Sequence, residues 1–139
     1  MFRISSVIGL VSLAAMGLVA QPALAQTPND VLASFKTAAA GDAKFQGFSA
    51  ARGEQFFKAK HGKEWSCTSC HTDNPAAQGK HASSGKDIQP LAPSANAERF
   101  TDMAKVEKWF KRNCNDVLGR VCTPLEKGDV LSYLLTVKK

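Results

Sequence analysis

The sequence is poor in the side chains that metal and redox chemistry most often uses. It has 3 histidines, 4 cysteines and 1 tyrosine in 139 residues. Only Cys67 and Cys70 form a closely spaced pair, and Cys114 and Cys122 lie further apart. A structural zinc site wants a second tight pair, so the spacing argues against one. Strands alternating with helices are also missing, which argues against a thioredoxin-like active site around Cys67-x-x-Cys70. There is no internal repeat and no convincing strand pattern. The chain reads as all-α.

Acidic residues are the minority, 12 Asp+Glu against 18 Lys+Arg. A basic exported protein fits acidic proteins or an anionic membrane face better than nucleic acid. Export is read from the first 25 residues. Arg3 gives a positive start, Ile4 to Ala20 carries no charge, Pro22 breaks the run, and Ala23-Leu24-Ala25 resembles a peptidase site. The run is slightly short for an uncleaved anchor. Cutting after Ala25 leaves residues 26–139, enough for one small domain, and places it in the periplasm. Cysteines there are free to form disulfides or to carry a covalent cofactor.

Four helices are expected. The first runs from Asn29 or Asp30 to Ala40 with Val31, Leu32, Phe35 and Ala38 on one side, and Gly41 ends it. Ser49 caps a second, Ala50 to Lys60, with Gly53, Phe56 and Phe57 facing inward. A third starts at Thr101 and places Met103, Val106, Trp109 and Phe110 inward, ending near Asn113. Thr123-Pro124-Leu125-Glu126 is a capping box that opens the last helix, whose inner face is Val130, Leu131, Leu134 and Leu135 beside Tyr133. Residues 73–97 hold three prolines and no apolar periodicity. So long an irregular stretch in a small domain needs something to pack on.

Cys67-Thr68-Ser69-Cys70-His71 supplies a reason. Two thiols at this spacing can each bond a vinyl group of one haem, and the following histidine then lies beneath the iron. A plain disulfide framework would leave His71 as coincidence. Covalent haem c also lets a small domain keep a large apolar body at its centre. The 26–48 segment reads as a helical extension and 49–139 as the core. A carbonyl near Pro75 or Pro90 is the expected acceptor for the His71 Nδ1 proton.

Beyond this pentapeptide, the chain resembles a family. Gly53 and Phe57 ahead of the haem motif, with Tyr133 on an apolar last helix, are similar to the class I cytochrome c fold. There, a glycine permits close crossing of the first and last core helices. CTSCHTDNPAAQGK, IQPLAP, RFTDMAKVEKWF and NCNDVLGRVC resemble sphaeroides-type haem proteins and the related cytochrome c double-prime. The likeness extends over roughly Gly53 to Val137.

The residues alone leave the sixth iron ligand open. Met103, His61, His81 and an open site compete, and Asn113 by itself reads as a helix cap. The resemblance implies Asn113, since this family places a ligand directly before the first cysteine of the Cys-Asn-Asp run, here Cys114-Asn115-Asp116. With Cys67 and Cys70 engaged by haem, Cys114 and Cys122 are expected to pair as a disulfide, either steadying the chain beside Asn113 or serving as a simple staple. Three functions compete: electron transfer, binding of O2, NO or CO, and O2 or peroxide reduction. No distal acid–base machinery is obvious beyond Arg99 or His61, so a carrier is expected rather than an enzyme. Its expected partner is a redox protein, implied to be a multihaem or membrane cytochrome, and the chain itself is expected to be a monomer.

Overall fold

In the computed structural model, residues 25–139 are described; the predicted signal segment lies outside them except for Ala25. The architecture is all-α, with five helices: α1 Pro28–Ala39, α2 Ala50–Lys58, the single turn α3 Thr68–His71, α4 Met103–Leu118 and α5 Pro124–Thr136. Two-residue strands β1 Gly79–Lys80 and β2 Asp87–Ile88 pair antiparallel. These strands were not anticipated. They fold the long irregular stretch into a hairpin whose turn is closed by Gly85 N–H donating to the His81 carbonyl at 2.9 Å.

Local signals start the helices. Thr27 and Thr123 each close a capping box, with Asp30 and Glu126 returning the bond, and each precedes a proline in the first turn. Ser49 caps α2 as expected, although that helix stops at Lys58 rather than Lys60. Asp102, not Thr101, caps α4 by accepting from the Lys105 N–H at 3.0 Å. On α1 the buried alanine is Ala39, and Ala38 is exposed.

The fold is organised by the crossing of α2 and α5, with α1 also packed on α5. At the crossing, a Cβ on Gly53 would stand 1.9 Å from the Asp129 carbonyl oxygen, so only glycine fits. The buried Asp129 carboxylate stitches the same contact. It accepts from the Ser49 N–H at 2.7 Å and from Arg52 Nε and a terminal guanidinium nitrogen at 2.7 and 2.9 Å. Two apolar clusters result. Val31, Phe35, Val106 and Leu131 join α1, α4 and α5, whereas Phe57, Val130, Tyr133 and Leu134 join α2 and α5. The N-terminal helix thus shares the core rather than standing apart from it.

Gly53→Ala should lose about 3 kcal/mol of stability, the upper end of ordinary overpacking costs, because backbone lies in the way. Gly41→Ala, with nothing within 4 Å of its added carbon, should change it by less than about 1 kcal/mol. Denaturant unfolding of the two variants checks the contrast. Glu126 gives a pH-dependent test. Burial opposes its ionisation, but Arg120 and the Thr123 N–H outweigh burial and hold its carboxyl below the usual range. The unfolded chain therefore binds that proton first as pH falls, and the stabilisation present at neutral pH is lost. Glu126→Gln should cost about 1 kcal/mol at pH 7, and the gap to the parent should close on acidification below about pH 4, read by thermal melts across pH.

Candidate haem site

The CTSCH turn sits at the edge of the α2–α5 crossing. Its helix is one turn long, closed by the His71 N–H donating to the Cys67 carbonyl at 3.0 Å and Thr72 N–H to Thr68 at 2.9 Å. The turn brings Cys67 and Cys70 onto one side with His71 beside them. Both thiols are free, whereas Cys114 and Cys122 are joined as a disulfide. Cys67 packs against the Phe57–Tyr133 cluster, and the His71 imidazole lies 6.3 Å from the Phe57 ring, which is itself 5.6 Å from Tyr133.

Electrostatics follow from this setting. Burial pushes the Cys67 thiol up to about 12, so it stays protonated and unreactive as a free thiolate. Burial, with a smaller push from the Arg99 charge, brings His71 down to about 4. At neutral pH its imidazole is uncharged and has a lone pair to give a metal.

The irregular stretch is tied to the turn at several points. A Cβ on Gly79 would stand 2.1 Å from the Cys70 carbonyl oxygen, so β1 can lie this close only with glycine there. The Ala82 N–H donates to Cys70 Sγ at 3.3 Å. Leu91 and Ala92 N–H both donate to the Pro75 carbonyl, at 2.8 and 2.9 Å. Arg99 clamps the far side by donating to the Gln89 and Pro90 carbonyls at 2.7 and 2.9 Å. The Pro75 carbonyl thus accepts from two donors, and Pro90 accepts from Arg99 and, at 3.4 Å, from Asn96.

Thr72, directly after His71, has φ +59 and ψ 172, a conformation costly for a branched residue. Its hydroxyl donates to the Asn74 carbonyl at 2.8 Å and accepts from the Asn74 N–H at 3.2 Å. Backbone strain held this way is characteristic of functional turns. Thr72 and Gly79 were not singled out from the sequence. The turn residues Ser83-Ser84-Gly85 were the available signal for the hairpin that positions Gly79.

The candidate sixth ligands lie in different settings. Met103 packs on the Val31–Phe35–Leu131 cluster rather than the one holding Cys67. His61 is stacked on Phe56 at 4.3 Å and donates from Nε2 to the Phe56 carbonyl at 2.7 Å. His81 closes the hairpin turn, where its Nδ1 lies 3.2 Å from the donating Ser84 N–H. Asn113 is not at a helix end: α4 continues through Cys114 and Val117, both buried, to Leu118, and Gly119 terminates it. Its amide is exposed and joins no hydrogen bond among the described residues. Trp109, expected inward, is 46% exposed. That degree of exposure makes it a surface side chain.

A covalently held haem requires two unengaged thiols on one turn, an adjacent neutral imidazole and aromatic or aliphatic walls. Cys67, Cys70, His71, Phe57 and Tyr133 meet each requirement. Comparisons with known proteins agree. Residues 43–134 match the family described as a domain of unknown function, DUF1924. Cytochrome c-type protein SHP of Cereibacter sphaeroides is 45% identical over 123 residues, 84% of this chain and 91% of that protein. Cytochrome c'' of Methylophilus methylotrophus is 54% identical over 83 residues, 60% of this chain but only 58% of that relative's length. The structure of oxidised SHP, an oxygen-binding cytochrome c, superposes with a TM-score of 0.70 at 43% identity, covering 79% of this chain and 96% of that one. The chain belongs to the SHP and cytochrome c'' family of class I c-type cytochromes and carries a single covalently attached haem c.

Proposed function

We propose that this protein is a periplasmic electron-transfer cytochrome in which Cys67 and Cys70 hold the haem, His71 is the permanent axial ligand and Asn113 is a labile one. The observation that carries this reading is the division of the cysteines. Two are free on the same turn as a half-buried neutral imidazole, and the other two are paired beside Asn113. When bound, haem supplies a one-electron redox couple and, with its sixth position open, a site for a diatomic gas.

The protein's part is to set which state is favoured. His71 is held neutral and against Phe57. The Asn113 amide offers a carbonyl oxygen without charge. Oxygen donors suit the harder ferric ion better than the softer ferrous one, so Asn113 would hold the oxidised iron and release it on reduction. Cys114 follows directly, and its bond to Cys122 fixes that part of α4 to the segment leading into α5.

A second reading, binding of O2, NO or CO in the reduced state, is favoured by the same weak ligand. The related SHP is itself described as an oxygen-binding cytochrome.

Absorption spectra of the oxidised and dithionite-reduced protein, each with and without CO, test the role of Asn113. The ferric protein should be six-coordinate, and reduction should give a five-coordinate species that binds CO. Asn113→Ala should make the ferric form high-spin and leave ferrous CO binding intact. A six-coordinate reduced spectrum that ignores CO would rule out release of the sixth ligand on reduction. Removing the disulfide in a C114A/C122A double variant should cost about 2–5 kcal/mol and speed CO association. An unchanged association rate would make the bridge a staple only.

A further inference from the structure

Helices α1 and α2 each carry a lysine in the last turn, Lys36 and Lys58, but α4 has no basic residue of its own there. A cation reaches that end from a distant part of the chain. Lys63 Nζ donates to the Asn115 carbonyl at 3.2 Å. The same carbonyl accepts from the Gly119 N–H at 3.0 Å, so Lys63 binds the group that closes the helix. The negative end of the helix dipole favours a positive charge at this point. Among the described residues this is the only hydrogen bond that Lys63 makes, and no carboxylate competes for it.

The surroundings fit this contact. Gly119 takes φ +76, and a Cβ on it would stand 3.1 Å from Lys63 Cε. The glycine that ends the helix therefore also leaves room for the lysine stem. Lys63 itself stands in the short segment between α2 and the CTSCH turn, and that segment is fastened on both sides. His61 donates to the Phe56 carbonyl at 2.7 Å. The buried Ser66, next to Cys67, donates its N–H to Ser69 Oγ at 3.0 Å, and its hydroxyl lies 2.7 Å from that of Thr68. The Cys114–Cys122 bridge and the Arg120–Glu126 pair, 2.6 Å apart, tie the end of α4 towards α5. Lys63 instead ties it to the segment that attaches the haem. The bond lies along the helix axis at its end, not on the flank that carries Asn113.

We propose that Lys63 is a positioning residue for the sixth ligand. By holding the last turn of α4 to the haem-attachment segment, it limits how far Asn113 withdraws from the reduced iron. It thereby sets how fast the amide returns and how readily a diatomic gas enters. The proposal rests on the reading of Asn113 as a labile ligand and adds the side chain that governs its excursion.

Lys63→Met keeps an apolar stem and removes the donor and the charge, whereas Lys63→Arg restores both. The haem-loaded variants are compared with the parent in two stopped-flow measurements. In one, ferrous protein is mixed with excess ferricyanide, which takes one electron from each iron, and the return of the six-coordinate ferric spectrum is timed. In the other, CO association with the ferrous protein is timed. K63M should slow the return about threefold and speed CO association by a similar factor, the size expected for one cation at a helix end. K63R should bring both rates back towards the parent. Lys60→Met, which removes an exposed lysine three positions earlier, should change neither. Unchanged rates in K63M, with or without a lower melting temperature, would make Lys63 a helix cap only and overturn the proposal. An equal effect in K60M would also overturn it, because net charge would then be acting. A parent ferrous protein that stays six-coordinate and ignores CO would remove the labile-ligand reading itself, and the proposal with it.

Discussion

The close contact of Gly53 with the Asp129 backbone is the constraint on which the rest of the structure depends. No side chain fits between these two helices at that point, and the Asp129 carboxylate binds Ser49 and Arg52 from the same place. The crossing sets Phe57 against Tyr133, and these rings form the wall on which Cys67 and His71 rest. Separating α2 from α5 by the width of a methyl group would therefore loosen the haem environment as well as the core. The covalent cofactor and the glycine crossing are complementary devices. One supplies apolar bulk that a short chain lacks, and the other lets two helices approach closely enough to hold it.

What was legible in the sequence is what acts over a few residues. Ser49 and Thr123 cap helices as read because their hydroxyls face backbone N–H groups three positions on, whatever surrounds them, whereas the cap of α1 is Thr27, ahead of the expected start at Asn29 or Asp30. The C-x-x-C-H turn was equally local. Errors arose where distant contacts decide. The polar run Asn113-Cys114-Asn115-Asp116 reads as a helix end, yet burial of Cys114 and Val117 and the bridge to Cys122 carry α4 on to Leu118. Helical spacing puts Trp109 at the margin of the inner stripe, and it falls beyond the edge of the stripe set by Val106, Cys114 and Val117. The ordering of residues 73–97 depends on Gly79 meeting Cys70 and on Pro75 meeting Leu91, contacts that no periodicity encodes.

The site combines a fixed side and a yielding side. Around His71 the chain is over-determined: a one-turn helix, a strained Thr72 and a loop pinned by Ala82, Leu91 and Arg99. Around Asn113 there is a single exposed amide on a helix whose cysteine neighbour is tethered. A redox-dependent ligand needs this asymmetry, because reorganisation confined to one side leaves the other to keep the cofactor in place.

Peptide mapping by mass spectrometry of the protein matured in a haem-attaching host tests the central claim most directly. The account predicts one haem, carried by the peptide that contains Cys67 and Cys70, and a separate haem-free peptide pair joined through Cys114 and Cys122. Haem on Cys114 or Cys122, or a Cys67–Cys70 disulfide in a pigment-free chain, would contradict it.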